Sequence, residues 1–313
     1  MMKNKIIGII LAITLLGSST LMAGEKLKLM LDWFPNVDHL PIYVANEKGY
    51  FADQGIEMSI ISPSETSDAL KLTASGHMDI AVSYQPQTII ATDQGLPLKV
   101  IAPLVVHPLT TLLFLEGKGI KEPSDLSNKK IGYTVPGLMD VLLDAFASIN
   151  DIQDYTPVNV GFTILPALVS NKVDAIMGPF KTYETVGMAQ HGVKAQFFEL
   201  EKWGIPDYEE LIFVCGPKTL KEKPGAVKGF VNAIEKAFAY TKTHPEDALA
   251  TYLSAVPAAD KKIETLAFEL TRPYFAVKTG HNLAKWQAFA DFALKYGLIK
   301  NRVDAAVLIH TFK

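Results

Sequence analysis

The chain has very little cysteine and, beyond its first residues, no long apolar run. Its single cysteine, Cys215, has no partner for an internal disulfide. Cys215 follows the apolar residues 211–214, so we expect it to be a small buried core residue rather than a reactive thiol. No segment after residue 24 is long and apolar enough to be predicted as a membrane-spanning helix.

An excess of charge of one sign is also lacking. The sequence has 30 Lys and Arg against 33 Asp and Glu, a net charge of −3, and both signs are scattered. We therefore expect neither a nucleic-acid partner nor a polybasic membrane patch. Gly-rich phosphate loops, nucleophile elbows and His-Glu metal pairs are missing from the sequence, and its histidines show no metal-ligand spacing. We predict no catalytic residue, no metal and no cofactor.

The first residues have the layout of a secretory signal peptide. Lys3 and Lys5 give a positive start, residues 6–16 are apolar, and small residues follow. The apolar run is shorter than the ~20 residues that a spanning helix needs. We therefore predict a signal peptide over residues 1–23, cleaved after Ala23. Since no cysteine follows the apolar run, we expect export to the periplasm without a lipid anchor.

Strand and helix patterns alternate at short intervals through the first two thirds of the chain. One series covers residues 27–104 and a second covers residues 120–177. Such alternation is typical of an α/β fold with mostly parallel strands. After residue 217 the patterns are helical. Because no strands are predicted there, these helices must pack against a sheet formed by earlier residues.

This order predicts two α/β lobes joined by two crossings. The chain would pass from the first lobe to the second near residues 107–115 and return near residues 207–214, so that the helical tail covers the first lobe. A cleft between hinged lobes is a common place for a small-molecule site. The predicted bounds are residues 24–110 with 213–313 for lobe one, and residues 111–212 for lobe two.

The most informative motif lies between the first predicted strand and the first predicted helix. It reads Leu-Asp-Trp-Phe-Pro-Asn-Val-Asp-His over residues 31–39, at the carboxyl end of a strand, where open α/β sheets place ligands. Trp33 offers a large π-face, Asn36 an amide with donors and acceptors, and His39 an imidazole. This set suits a flat, nitrogen-rich heterocycle better than a sugar or a metal. The alternative is that Trp33 is a core residue and Asn36 only shapes a turn.

Several motifs together resemble the thiamine-pyrimidine-precursor family. They are the motif at residues 31–39, Lys-Gly-Tyr-Phe at 48–51, Tyr-Gln-Pro at 84–86 and Gly-Pro-Phe at 178–180. That family contains importer binding proteins and the fungal and plant enzyme that makes hydroxymethylpyrimidine phosphate. The resemblance covers nearly the whole mature chain. It implies the type II periplasmic binding protein fold, which agrees with the two-crossing layout.

The resemblance implies roles for four residues of lobe one. Trp33 is similar to the family's aromatic wall, with Asn36 and His39 facing the ligand beneath it. Tyr84 would add a second aromatic or hydroxyl contact from the same lobe.

Three residues of lobe two complete the implied site. Glu184 resembles the carboxylate that the family aims at an aminopyrimidine, although a solvated helix glutamate is the alternative. Phe180 stands where the family often has a bulkier aromatic residue. Gly137 precedes a predicted helix whose free N–H groups suit an anion or a carbonyl. Leu138 and Met139 follow it where many relatives carry hydroxyl residues, which argues against a strongly anionic ligand.

From the resemblance we expect a monomeric, periplasmic substrate-binding component of an ABC importer. It would bind an aminopyrimidine by hinge closure and dock on a permease in the inner membrane. Other ligands stay open: a flat heterocycle such as a flavin precursor, or an alkylsulfonate, nitrate or taurine. A secreted pyrimidine-synthesising enzyme is the third class. The fungal synthase carries a cysteine-rich motif and consumes an internal histidine and a bound pyridoxal phosphate, and Cys215 alone cannot reproduce that cluster.

Overall fold

The computed structural model describes residues 24–312, so the predicted signal peptide at residues 1–23 lies outside the described residues. The described residues form an α/β fold with two five-stranded sheets. The strands in chain order are β1 (Glu25–Met30), β2 (Ile56–Ile61), β3 (Ile80–Ser83), β4 (Lys99–Val105), β5 (Thr110–Leu115), β6 (Lys130–Tyr133), β7 (Thr156–Asn159), β8 (Ala175–Phe180), β9 (Ala195–Glu199) and β10 (Leu211–Cys215).

Each sheet is mixed, and the antiparallel pairs involve the strands that follow a crossing. The first sheet has the order β2-β1-β3-β10-β4, and the second has the order β7-β6-β8-β5-β9. In the first sheet β1 is parallel to β2 and β3, whereas β10 is antiparallel to β3 and β4. In the second, β6 is parallel to β7 and β8, whereas β5 is antiparallel to β8 and β9. The predicted parallel pairing therefore holds only for part of each sheet.

Two strands of the second sheet differ from the sequence-based expectation. Residues 110–115 were expected within a crossing, but they form β5, which is buried along nearly its whole length. Strands buried on both faces lack the alternation that reveals a half-buried strand. The edge strand β9 has only one buried residue, Phe198, so it also lacks a clear pattern.

The helices pack around these sheets, and the longest of them belong to the tail. They are α1 (Leu40–Glu47), α2 (Tyr50–Asp53), α3 (Asp68–Ala74), α4 (Gln85–Asp93), α5 (Met139–Ile149), α6 (Ile164–Val169), α7 (Glu184–Gln190), α8 (Pro217–Glu222), α9 (Pro224–Thr243), α10 (Pro245–Ala255), α11 (Lys261–Thr271), α12 (Leu283–Lys295) and α13 (Ala305–Leu308). Within the part of the chain that the structure describes, none of these helices has the length and apolar character to cross a membrane.

The tail covers the first sheet through an aromatic core. Phe230 of α9 stacks on Phe51 at 5.5 Å between ring centroids and meets Phe213 of β10 edge-on at 5.0 Å. Helices α9 and α10 pack on α1, while α11 contacts both the segment Val37–His39 and helix α7. Helix α11 therefore joins the tail to both lobes.

A single buried carboxylate ties the two crossings together. Glu210, on the return crossing, accepts hydrogen bonds from the backbone N–H groups of Leu109 (2.6 Å) and Thr110 (2.8 Å) and from the Thr110 hydroxyl (2.8 Å). Burial raises the pKa of Glu210 to about 7. The crossings thus run side by side. The predicted lobe bounds at residues 110 and 213 stay a prediction.

Candidate ligand-binding site

A cavity lies between the two lobes, where β1 and β3 of the first sheet end. Most of the residues singled out from the sequence line it: Trp33, Asn36, His39, Tyr84, Phe180 and Glu184. The other residues that line it are Asp32, Asp38, Thr134, Ile164, Gly178 and Leu211. The structure therefore brings six predicted residues from both lobes into one place.

Gly137 does not line this cavity. Its backbone N–H donates to the Asp140 carboxylate at 2.7 Å, and helix α5 begins at Met139. The Asp140 side chain thus accepts one of the N–H groups that were predicted to be free for a ligand.

Asp32 organises the lobe-one side of the cavity. One of its oxygens lies 2.8 Å from Nε2 of His39, and the other accepts the Tyr84 hydroxyl at 2.6 Å. His39 Nδ1 accepts the Asn36 backbone N–H at 3.4 Å, so Nε2 carries the proton and donates to Asp32. Both ring nitrogens of His39 are therefore engaged within the protein. Although His39 lines the cavity, it acts here by orienting Asp32.

Asn36 both shapes the chain and faces the cavity. Its side-chain oxygen accepts the Asp38 backbone N–H at 2.9 Å, which caps the short 3-10 helix Val37–His39. The side-chain nitrogen makes no hydrogen bond to the residues that the structure describes, and Asn36 lines the cavity. The turn-shaping role and a ligand-facing amide are thus compatible in one residue.

Two further carboxyl groups line the cavity, one from each lobe. Asp38 is 0% exposed, and one of its oxygens accepts the Thr271 hydroxyl at 3.0 Å. Glu184, the first residue of α7, accepts the Phe180 backbone N–H at 2.7 Å. Burial raises the pKa of each carboxyl to about 7. The two groups therefore hold their protons more tightly than surface carboxyls do.

A glutamate of the tail connects the lobes behind the cavity. Glu264 of α11 accepts the Val37 backbone N–H and the Tyr183 hydroxyl, both at 2.9 Å. Burial raises its pKa to about 7. Because Val37 belongs to lobe one and Tyr183 precedes α7 of lobe two, Glu264 bridges the two sides.

The lobes also meet directly at the rim of the cavity. The Phe162 ring, between β7 and α6, lies 4.5 Å from the Trp33 ring and 4.5 Å from the Phe34 ring, centroid to centroid. The Thr66 hydroxyl donates to the Thr134 carbonyl at 2.8 Å. Trp33 is thus half-buried, and it packs edge-on against Phe162 and against the hydrophobic core of the other lobe.

The electrostatic character of the cavity follows from its charged residues. Asp32, Asp38 and Glu184 line it, and none of the described lining residues is a lysine or an arginine. Buried carboxyls favour hydrogen-bond donors and positive charge, and they repel anions. This environment suits a ligand rich in N–H groups.

The raised pKa values give the protein an unusual dependence of stability on pH. Asp38, Glu184, Glu210 and Glu264 each have a pKa raised to about 7 in the folded state. Between their ordinary values and pH 7 the folded chain binds more protons, so the free energy of unfolding falls as pH rises, by up to about 1.4 kcal/mol per pH unit for each group. Urea titrations at pH 5, 6 and 7 on ligand-free protein should show this fall.

The pH effect has a simple control. In Glu210→Gln the fall between pH 5 and 7 should be shallower, because one of the four proton-binding carboxyls is gone. A stability that rises over this range in the wild type would show that these carboxyls ionise normally.

The described residues have the periplasmic binding protein fold. The structure of the alkanesulfonate-binding protein of Xanthomonas axonopodis pv. citri, bound to MOPS, matches with a TM-score of 0.72 over 92% of this chain and 99% of that one, at 14% identity. The family model described as NMT1/THI5 like matches residues 36–248, and the chain belongs to this family.

Named relatives span most of the chain. A Haemophilus influenzae protein named for thiamine biosynthesis is 35% identical, over 88% of this chain and 89% of its own length. The formylaminopyrimidine-binding protein of Halalkalibacterium halodurans is 32% identical, over 81% and 79%. A 4-amino-5-hydroxymethyl-2-methylpyrimidine phosphate synthase of Saccharomyces cerevisiae is 27% identical, over 89% and 85%. The family assignment made from the motifs is therefore confirmed.

Proposed function

We propose that this protein is the substrate-binding component of an ABC importer and that it binds an aminopyrimidine precursor of thiamine between its lobes. The observation that carries the proposal is the cavity itself: carboxyl groups from both lobes line it without a lysine or an arginine among the described lining residues. The relative named as a formylaminopyrimidine-binding protein supports the same ligand class.

The cavity matches the hydrogen-bonding edges of an aminopyrimidine. A 4-amino group donates, and the neighbouring ring nitrogen accepts. One oxygen of Glu184 accepts the Phe180 N–H, and the backbone N–H of Glu184 also bonds to the carboxyl group. We propose that the oxygen not bonded to Phe180 accepts the amino group of the ligand. The side-chain nitrogen of Asn36 suits a ring nitrogen as a donor. Trp33 and Phe180 supply apolar surface for the flat ring.

An anionic ligand fits this site poorly. A sulfonate, nitrate or taurine would lie among Asp32, Asp38 and Glu184, whose ionised forms repel it. The cavity therefore favours a heterocycle over the anion alternatives left open by the sequence.

Ligand capture requires no chemical step. Cys215 lies buried in β10 outside the cavity lining, and burial raises the pKa of its thiol to about 12, so the thiolate form is suppressed. Although the synthase of yeast is a relative, we propose that this chain binds and releases its ligand unchanged.

We propose the following transport cycle. The ligand meets lobe one, whose Asp32, His39 and Tyr84 network is held by internal hydrogen bonds, and lobe two then closes by rotation at the paired crossings. The closed form would dock, as a monomer in the periplasm, on an inner-membrane permease. A ligand favours closure only through tighter binding to the closed form.

Mass spectrometry of the ligand that co-purifies with protein expressed in the periplasm tests this proposal. We expect the mass of a hydroxymethyl- or formylamino-substituted aminopyrimidine, and saturable calorimetric binding of the same compound. A bound flavin would replace the ligand assignment with the other heterocycle class. A sulfonate, nitrate or taurine would overturn the proposal, and turnover of the pyrimidine would show an enzyme.

A further inference from the structure

Asp38 has an oxygen that the protein leaves without a partner. Its side chain is fully buried and lines the cavity. The oxygen bonded by the Thr271 hydroxyl is satisfied, whereas Oδ2 has no hydrogen-bond partner among the described residues. A buried carboxyl oxygen without a hydrogen bond is costly, and in native structures such a group calls for a structural or functional explanation.

The backbone that carries Asp38 is held on both sides. Its own N–H donates to Asn36, and the N–H of Val37 donates to Glu264. The side chain is held in turn by Thr271 at the end of α11. Asp38 therefore has little freedom to turn Oδ2 towards another protein group, and the orientation is built into the fold.

The charged groups around Asp38 do not supply the missing partner. Tyr183 and Tyr252 interact with Asp38 electrostatically, and the Tyr183 hydroxyl donates to Glu264. The titratable neighbours that shift the pKa of Asp38 itself are His39, Glu184 and Asp32. Both ring nitrogens of His39 are engaged elsewhere, and the other two are carboxyls. No described residue bonds Oδ2 in this structure, and the buried Tyr252 hydroxyl is also without a partner. A donor on a ligand in the cavity would satisfy Oδ2.

We propose that Asp38 is a second ligand-binding carboxyl, which acts from lobe one together with Glu184 from lobe two, and that the pair selects a ligand with N–H donors on two edges or a positive charge. This inference rests on the proposed function and narrows it. The Thr271 hydroxyl bonds to one oxygen of Asp38 and the Phe180 N–H to one oxygen of Glu184, and we expect the other oxygen of each carboxyl to accept a donor of the ligand. An aminopyrimidine protonated on its ring satisfies both, because it gains a second N–H donor and a charge.

Calorimetry with 4-amino-5-hydroxymethyl-2-methylpyrimidine tests the role of Asp38. Asp38→Asn keeps an oxygen for Thr271 and turns the free oxygen into an N–H donor, so it should weaken binding at least about tenfold, as for loss of a charge-assisted hydrogen bond. Asp53→Asn removes the same charge from the exposed helix α2 and should bind within about twofold of the wild type.

The outcomes separate this inference from the proposed function. If Asp38→Asn binds as tightly as the wild type while Glu184→Gln does not, Asp38 has no ligand role and the proposed function stands. If the wild-type protein does not bind the pyrimidine at all, the proposed function fails. Should Asp38→Asn not fold, a crystal structure of the wild-type protein with the pyrimidine decides: a ligand nitrogen within about 3.2 Å of Oδ2 supports the inference, and a longer distance overturns it.

Discussion

Glu184→Gln is expected to weaken the binding of an aminopyrimidine by about 10- to 150-fold, the range for loss of a hydrogen bond to a charged group. The reason is the Phe180 N–H, which requires an acceptor at 2.7 Å. A glutamine at this position must use its oxygen there, so its NH₂ group faces the cavity. The ligand's amino group then meets a donor instead of an acceptor. Isothermal titration calorimetry measures the change directly.

A second glutamate provides the control for Glu184. Glu222→Gln makes the same chemical change at an exposed residue at the end of α8, outside the cavity lining. Its dissociation constant should equal that of the wild type. If Glu184→Gln also binds like the wild type, lobe two does not contribute a carboxyl to the ligand.

Gly178→Ala is expected to destabilise the folded protein by about 2–5 kcal/mol, through backbone strain and overpacking together. Gly178 lies in β8 on the cavity wall with φ of +130°, where a side chain is strained. An added Cβ would lie 2.0 Å from the Thr134 hydroxyl oxygen. Urea or thermal unfolding of the purified variant measures the loss.

Gly187→Ala is the matched control in the same lobe. Gly187 lies within helix α7, and an added Cβ would meet nothing within 4 Å. Since alanine is the better helix former, this variant should be as stable as the wild type or slightly more stable. Equal stability of the Gly178 and Gly187 variants would mean that β8 adjusts without cost and that the close approach to Thr134 is not required.

Much of the fold follows from local sequence patterns. Helix α9 runs from Pro224 to Thr243, as its flanking prolines and apolar spacing predict, and β6 occupies the predicted residues. Strands β5 and β9 were not predicted, because β5 is buried along nearly its whole length and β9 is mostly not buried. Their antiparallel pairing depends on where the chain crosses between the lobes. Crossing positions are set by tertiary packing and leave no periodic signal.

The candidate site was predictable where its residues share one motif. Trp33, Asn36 and His39 fall within residues 31–39, and the structure places all of them on the cavity wall. Asp32 and Asp38 stand in the same motif, and their carboxyl groups beside Trp33, Asn36 and His39 were the signal for them. The role of Glu264 could not be predicted from the sequence, because its hydrogen-bond partner Val37 lies 227 positions away in the chain. Phe162 likewise contacts Trp33 only through the approach of the lobes.

If the chain serves an importer as proposed, the direct contacts between the lobes limit how strictly closure of the lobes depends on bound ligand. Thr66 with Thr134, and Tyr183 with Glu264, are protein-to-protein hydrogen bonds that favour closure whether or not cargo is present. Every such contact reduces the free energy that ligand binding must supply for closure of the lobes. It therefore improves capture of the ligand at low concentration. The same contact raises the share of closed molecules without cargo, which would occupy the transporter unproductively. In that proposed role, the contacts that strengthen capture of a scarce ligand also weaken the link between closure and a bound ligand.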